Sequence, residues 1–290
     1  MTADSYSPTK EQVKDVKMVN ENKNVVIEVE ERHFLFKCVP MDQMDKITHC
    51  LAEFVGTASL LVLSCMTCME GLGSEIIPIQ AAFGGGLTVL VIVSTFGGIT
   101  HCHINPAVTL AAAICRYVSV PIAICYMISQ ILGAIAGFAL LRAVTPSELH
   151  YKGNSTQLWC LTLPNERIDP IHGFAIEAII TTLLIWLCCA LWDARNSRWQ
   201  DSVSMKFGFT VIVMNLAAGQ LTGSSMNPAR SLAPALIANY WTDQWIYWAG
   251  PITGSVFASL CYKYIFHRNA PKECCTVATL KAELIDKLME

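Results

Sequence analysis

The sequence predicts an all-α membrane protein, with six transmembrane helices and two re-entrant half-helices arranged as an inverted repeat. Three observations lead to this prediction. Hydrophobic residues make up 53% of the chain and charged residues only 15%, well below the ~25% that is usual for soluble domains. Six long apolar segments alternate with polar connections, and the tripeptide Asn-Pro-Ala occurs once in each half of the chain.

The six apolar segments have the length of membrane spans. A hydrocarbon core of ~30 Å requires about 20 helical residues, and at these lengths only helices satisfy their backbone polar groups in lipid. We therefore predict transmembrane helices at residues 49–69, 76–98, 119–142, 172–193, 203–220 and 242–266.

Two further apolar stretches are too short to cross the bilayer. They run from Asn105 to about Tyr117 and from Asn227 to about Tyr240, and about a dozen residues at ~1.5 Å rise give ~18 Å. Each begins with Asn at the N-cap, a position that Asn favours. Pro follows at the first helical position, where Pro is over-represented. We predict two half-helices that begin at the pore motifs Asn105, Pro106, Ala107 and Asn227, Pro228, Ala229.

The order span, span, half-helix, span occurs twice. The first spans of the two halves resemble each other, with LAEFVGTASLLVL in one and AIEAIITTLLIWL in the other, and each carries one early carboxylate, Glu53 or Glu177. Because each repeat has three spans, about 47–142 and about 172–266, the second is inserted upside down relative to the first.

Opposed half-helices would meet tip to tip near the midplane of the membrane. Both positive dipole ends then point at one place, which disfavours cations and protons there. The side-chain amides of Asn105 and Asn227 can still hydrogen-bond to a polar, uncharged molecule. The repeated motif therefore predicts a filter for neutral solutes.

The charge pattern predicts the orientation. The connection 194–206 and both polar tails, 1–46 and 267–290, carry several Lys and Arg, whereas the connection 68–76 carries none. The positive-inside rule places both tails in the cytoplasm and the 143–171 loop outside. That loop contains Asn154-Ser155-Thr156, an acceptor pattern for N-glycosylation. The 1–46 tail has little periodicity and is expected to be weakly structured.

Several other classes of function are excluded or disfavoured. A formal net charge of −3 does not indicate a nucleic-acid partner. The sequence contains no nucleophile–base pair and no cofactor loop, so we expect neither an enzyme nor a bound cofactor. His101 and His103 lack a third converging ligand for a metal. Cys65 and Cys68 form one CxxC pair at the end of an apolar segment, where a thioredoxin-type site is not expected. Most of the thirteen cysteines are expected to be small buried hydrophobic residues.

The paired motifs HINPAVTLA and SMNPARSLAPA, the two membrane carboxylates and the segment WIYWAGPITG resemble the aquaporin (major intrinsic protein) family over residues 48–266. The resemblance implies the aquaporin fold and a homotetramer of multi-pass protomers, each with its own pore, in the plasma membrane. It also implies that Glu53 and Glu177 support the half-helix loops by hydrogen bonding. Gly133 and Gly137, at small-xxx-small spacing, are expected to pack spans within one protomer.

The same resemblance implies which residues form the selectivity filter. Counting from the two motifs places the four filter positions at Gly85, Asn215, Ser224 and Arg230. Water-selective members usually have a bulky aromatic at the first position and His at the second, so Gly and Asn predict a wider neck. Ser231, Ala235, Tyr247 and Trp248 nevertheless resemble the water-channel pattern. This combination resembles the insect branch that carries glycerol and urea on a water-channel scaffold.

We therefore predict passive diffusion of water and small uncharged solutes such as glycerol and urea. Two alternatives remain open at this point. A small alignment shift would bring Phe83 to the filter instead of Gly85 and predict a strictly water-selective channel. A family member that acts mainly in adhesion or signalling through its tails is the other alternative.

Overall fold

The computed structural model describes residues 16–21, 24–29, 43–69, 77–150, 160–193, 195–196 and 201–267. The chain divides into two compact units, residues 1–37 and 38–290. The first contains an antiparallel pair of strands, β1 (Val16–Glu21) and β2 (Asn24–Val29), with Val16 opposite Val29. The sequence pattern predicts a weakly structured segment here and does not indicate this hairpin; the all-α class describes the second unit.

Eight helices form the described part of the second unit, and each coincides with one predicted span or half-helix. They are α1 (Gln43–Met66), α2 (Pro78–Thr100), α3 (Pro106–Ile114), α4 (Val120–Val144), α5 (Pro170–Trp192), α6 (Val203–Thr222), α7 (Pro228–Ala238) and α8 (Ile246–Cys261). A 3₁₀ turn at Ser147–His150 follows α4, and a π turn at Tyr262–Phe266 continues α8. α1 begins at Gln43, which lies before the predicted domain boundary at residue 47.

Four of the described helices, α1, α2, α4 and α5, are long and apolar enough to cross a membrane by themselves. α6 and α8 fall outside that criterion, but α6 packs along α2 and α8 packs along α5. Helices α3 and α7 contain only 9 and 11 residues. They are the half-helices that the Asn-Pro-Ala motifs predicted.

Small residues bring the paired helices into backbone contact. A Cβ atom at Gly133 or Gly137 of α4 would lie 2.2 Å from the carbonyl oxygen of Phe54 or Ala58 in α1. Gly254 of α8 lies equally close to α5, where a Cβ would be 2.4 Å from a carbonyl oxygen. The expectation that Gly133 and Gly137 pack spans within one protomer is confirmed.

Each half-helix packs into the core of the opposite repeat. One apolar cluster joins α1, α2 and α4 to Ala229 and Ala233 of α7, and a second joins α5, α6 and α8 to Val108 and Ala111 of α3. Burial of these faces from both sides fixes the depth of the two helix starts. The exchange brings the two Asn-Pro-Ala tips together between the repeats.

Candidate functional site: a cavity between two capped half-helices

The two Asn residues cap their own half-helices. Asn105 Oδ1 accepts a hydrogen bond of 2.8 Å from the backbone N–H of Ala107. Asn227 Oδ1 accepts bonds of 3.1 and 3.3 Å from the backbone N–H groups of Ala229 and Arg230. Pro106 and Pro228 occupy the first helical positions, where no backbone N–H is needed. Both helix starts are therefore built as the sequence predicted.

The amide groups of the same two residues connect the repeats. Asn105 Nδ2 donates to the carbonyl oxygen of Met226, and Asn227 Nδ2 donates to the carbonyl oxygen of Ile104, each at 2.9 Å. The two bonds are reciprocal and hold the tips against each other. Each amide carries two N–H donors, so one donor of each pair is engaged in this contact.

The loops leading into the half-helices have the same unusual backbone. Positive φ angles occur at three matching positions of each loop: His101, Cys102 and Ile104 in the first, and Gly223, Ser224 and Met226 in the second. Left-handed conformations cost non-glycine residues about 1–3 kcal/mol each and persist only where the surroundings impose them. Here the buried carboxylates of α1 and α5 impose them.

Glu53 is fully buried and accepts four hydrogen bonds. Oε1 accepts from the hydroxyl of Thr100 at 2.7 Å and from the backbone N–H of His103 at 2.9 Å. Oε2 accepts from the backbone N–H of Ile104 and from Nε2 of Gln130, both at 2.7 Å. The carboxylate thus joins α1, the first loop and α4.

Glu177 makes the equivalent contacts in the second repeat. Oε1 accepts from the hydroxyl of Thr222 at 2.6 Å and from the backbone N–H of Ser225 at 3.0 Å, and Oε2 accepts from the backbone N–H of Met226 at 2.8 Å. Gln130 also donates to Thr109 Oγ1 at 2.8 Å. It contributes to the contacts around Glu53 and not to those around Glu177. Gln130 is not among the site residues predicted from the sequence, although a lone amide within an apolar span signals a polar contact.

A cavity of about 620 Å³ passes the two tips. Its lining includes both capping Asn residues and all four predicted filter positions, Gly85, Asn215, Ser224 and Arg230. A Cβ atom at Gly85 would lie 2.6 Å from Asn215 Nδ2, so these two residues face each other across α2 and α6. Phe83 lies on the outward face of α2 with 42% of its surface exposed. The structure therefore brings Gly85, and not Phe83, to this part of the cavity.

Arg230 lies at the same level of the cavity as residue 160. Its guanidinium donates from Nη1 to the carbonyl oxygen of Cys160 at 2.6 Å and from Nη2 to the sulfur of that residue at 3.4 Å. Nearby, Thr162 donates to the hydroxyl of Ser231 at 2.7 Å. Among the described residues, the buried hydroxyl of Ser224 has no hydrogen-bond partner within the protein, which leaves it available to a molecule in the cavity.

Cys65 and Cys160 form a disulfide across 95 residues. The interpretation of the cysteines as mainly buried hydrophobic residues is wrong for this pair, while Cys102, Cys188 and Cys189 are buried and free. The predicted orientation could have indicated this bond. It places the end of the first span and the 143–171 loop on the same, external side of the membrane, which is oxidising.

His103 is buried and packs between the repeats. Its Nδ1 lies 3.2 Å from Thr109 Oγ1, and its ring meets Tyr126 edge-on. His101 lines the cavity. Over the described part of the chain, no three metal-binding side chains converge. Asn154 and most of the two tails lie outside the described residues.

Six packed spans around two opposed, capped half-helices define a membrane channel protein. Residues 40–262 match the family described as "Major intrinsic protein". The chain belongs to this family of aquaporins, whose members are channels and not enzymes.

Similar proteins agree with this assignment. The chain is 38% identical over 222 residues to aquaporin-4 of Mus musculus. This alignment covers 74% of this chain and 66% of the relative. It is 33% identical over 217 residues to aquaporin-8 of Mus musculus. This alignment covers 74% of this chain and 81% of the relative. The chain thus spans about two thirds of the length of the aquaporin-4 relative.

One solved structure has the same fold. The aquaglyceroporin from Plasmodium falciparum superposes with a TM-score of 0.68 over 76% of this chain and 97% of that chain, at 20% sequence identity. At this identity the likeness concerns the fold alone.

Proposed function

We propose that this protein is a channel for passive, single-file diffusion of water and of small uncharged solutes, with glycerol and urea among them. The observation that carries the proposal is the pairing of Gly85 with Asn215 in the cavity. Neither position places a ring in the neck. A solute larger than water therefore meets backbone and a short amide instead of an aromatic wall.

The polar groups along the cavity suit neutral solutes. Ser224, Arg230 and the capping amides offer hydrogen bonds to water or to hydroxyl groups, and a fixed guanidinium repels cations. The positive ends of α3 and α7 act in the same direction. We infer that ions and protons are excluded while neutral molecules exchange one set of hydrogen bonds for another.

We infer a supporting role for the two carboxylates. Glu53 and Glu177 hold the strained loops through backbone N–H groups, and their oxygens are occupied by these contacts. A proton relay would need an oxygen free to exchange its proton with the cavity. The hydrogen bonding supports the structural role over the relay.

The assembly and location that we propose follow the family resemblance. The functional unit is a homotetramer in the plasma membrane with a pore in each protomer and both termini in the cytoplasm, and Asn154 is an external glycosylation site. The disulfide supports the external placement of residue 160, because such bonds persist in oxidising compartments.

A strictly water-selective channel is the second candidate. The likeness of Ser231, Ala235, Tyr247 and Trp248 to the water-channel pattern favours it, whereas the outward position of Phe83 weighs against it. For the adhesion or signalling alternative, none of the contacts among the described residues provides support. These readings make different predictions for solute flux.

The test uses the full chain in liposomes with stopped-flow light scattering. Shrinkage in an impermeant osmolyte measures water flux, and re-swelling in glycerol or urea measures solute flux. We expect both to exceed those of empty liposomes. Water flux without solute flux would select the water-selective channel, and the absence of both would contradict the channel function.

A pair of variants on α2 tests the filter directly. In Gly85→Phe the new ring must enter the cavity beside Asn215, so we expect glycerol and urea flux to fall at least tenfold and water flux to fall less. Leu87→Phe is the matched control, because Leu87 is 46% exposed on the same outward face as Phe83. Equal effects of the two variants would refute the placement of Gly85 in the filter.

A further inference from the structure

Cys160 connects the selectivity filter to the first span. Its side chain is bonded to Cys65 of α1, and its carbonyl oxygen and sulfur accept the two hydrogen bonds that the described structure records for the Arg230 guanidinium. Both cysteines are buried, Cys65 with 1% and Cys160 with 7% of its surface exposed. The arginine is thus oriented by a residue that a covalent bond holds in place.

The backbone at Cys160 needs such a constraint. Its φ angle is +71°, in the left-handed region that non-glycine residues adopt only when their surroundings impose it. This conformation determines where the carbonyl oxygen points. Within the described residues 160–193, the hydrogen bond between Thr162 and Ser231 is a further anchor of the same segment. The disulfide is the covalent member of the set that holds the carbonyl against Arg230.

We propose that the Cys65–Cys160 disulfide is a positioning element of the selectivity filter and that its reduction lowers the flux of larger solutes. The inference rests on the proposed function of the channel. Without the bond, the carbonyl of residue 160 is released from α1 and no longer keeps the guanidinium against the wall. Arg230 then extends into the cavity beside Gly85 and Asn215, and a bulky solute is hindered more than water.

The redox step needs only an external reductant. A dithiol such as dithiothreitol attacks one sulfur, the S–S bond breaks, and a second attack within the mixed disulfide releases both cysteines as thiols while the reagent closes to a cyclic disulfide. Two electrons and two protons pass from the reagent to the protein. Reoxidation reverses the step.

The first measurement maps the bond by mass spectrometry of the non-reduced protein. A peptide joined through Cys65 and Cys160 is expected. Its absence from protein with normal water and glycerol flux would overturn this inference and leave the proposed function intact. Absence of all flux in the oxidised protein would instead contradict the proposed function.

The second measurement compares oxidised and reduced channels already in liposomes, which avoids any question of folding. We expect dithiothreitol to lower glycerol flux several-fold and water flux less. The Cys65→Ser/Cys160→Ser variant should behave like the reduced protein and no longer respond to dithiothreitol. Cys68→Ser is the matched control, because Cys68 is a free cysteine one turn further along and should retain the full response. Unchanged fluxes on reduction would overturn the proposal.

A double-mutant cycle separates positioning from general support. In an Arg230→Ala background the guanidinium is missing, so reduction should have little further effect on the ratio of glycerol flux to water flux. An effect of the same size in both backgrounds would show that the disulfide merely supports the fold. That result would overturn the positioning role.

Discussion

At the scale of single residues, the buried carboxylates of α1 and α5 have both of their oxygens engaged in hydrogen bonds. Glu53 and Glu177 are fully buried, and each oxygen accepts at least one hydrogen bond from a loop that leads into a half-helix. A buried acceptor without partners would cost about 1–3 kcal/mol. Here the same carboxylates offset the strain of the positive-φ loops.

The contacts of Glu53 predict the effect of Glu53→Gln. The amide would turn one acceptor into a donor that faces N–H or O–H groups, so we expect the free energy of unfolding to fall by about 1–3 kcal/mol and water flux to fall with it. Thermal unfolding in detergent and stopped-flow flux provide the measurements. Glu148→Gln is the control, since Glu148 is exposed after α4. If the two variants match in stability, the supporting role of Glu53 is wrong.

At the scale of helices, close backbone approach decides which elements pair. α4 lies against α1 along Gly133 and Gly137, and α8 lies against α5 along Gly250 and Gly254. Small residues are favoured at such contacts, because lipid supplies no hydrophobic force between helices and van der Waals packing must hold them together. The matching stripes show that both repeats use the same device.

This packing predicts that Gly137→Ala is severely disruptive. The added methyl group would lie 2.2 Å from the backbone carbonyl oxygen of Ala58, so α1 and α4 must separate, and overpacking of this kind costs about 1–3 kcal/mol or more. We expect a large loss of monodisperse protein in size-exclusion chromatography. Gly98→Ala serves for comparison, because a Cβ there meets nothing within 4 Å. Normal yield of Gly137→Ala would contradict the close contact.

At the scale of the whole molecule, a polar cluster joins the ends of the first and last helices of the second repeat. Asp193, directly after α5, has a side chain only 1% exposed and forms a salt bridge with Arg195. It also accepts from the hydroxyl of Tyr262 at 3.2 Å, and Arg195 Nη2 donates to the carbonyl oxygen of Phe266 at 3.0 Å. The ends of α5 and α8 are thereby tied together.

The cluster predicts a defined pH dependence. Burial alone would raise the pKa of the Asp193 carboxyl, but the hydrogen bonds from Arg195 outweigh it and lower the pKa to about 2, below the ~3.9 of an unfolded Asp. The stabilisation is therefore present above about pH 4 and is lost as the pH falls toward 2.

Thermal unfolding of the wild type and of Asp193→Asn at a series of pH values measures this effect. We expect the wild type to be more stable at neutral pH and the difference to shrink between about pH 4 and pH 2. Asp169→Asn is the control, because that side chain is 79% exposed. A difference that stays constant down to pH 2 would rule out the ionised carboxylate as its source.

The sequence by itself determined the class of fold, the spans, the half-helices and the residues of the two motifs. These features depend on local properties, namely the length of apolar runs and the cap chemistry of Asn-Pro, which a single segment carries without its neighbours. Even so, helix ends shifted by several residues, and the β1–β2 hairpin was missed because strands of only six residues carry a weak pattern.

Tertiary structure alone decided how the site is closed. The reciprocal amide bonds span 121 and 123 residues, the Glu53–Gln130 bond spans 77 and the disulfide spans 95. The choice between Gly85 and Phe83 depended on the rotation of α2 against α6. Such contacts depend on which faces of distant helices meet, and no periodicity along one segment encodes that, because the partner lies in the other repeat or in another helix.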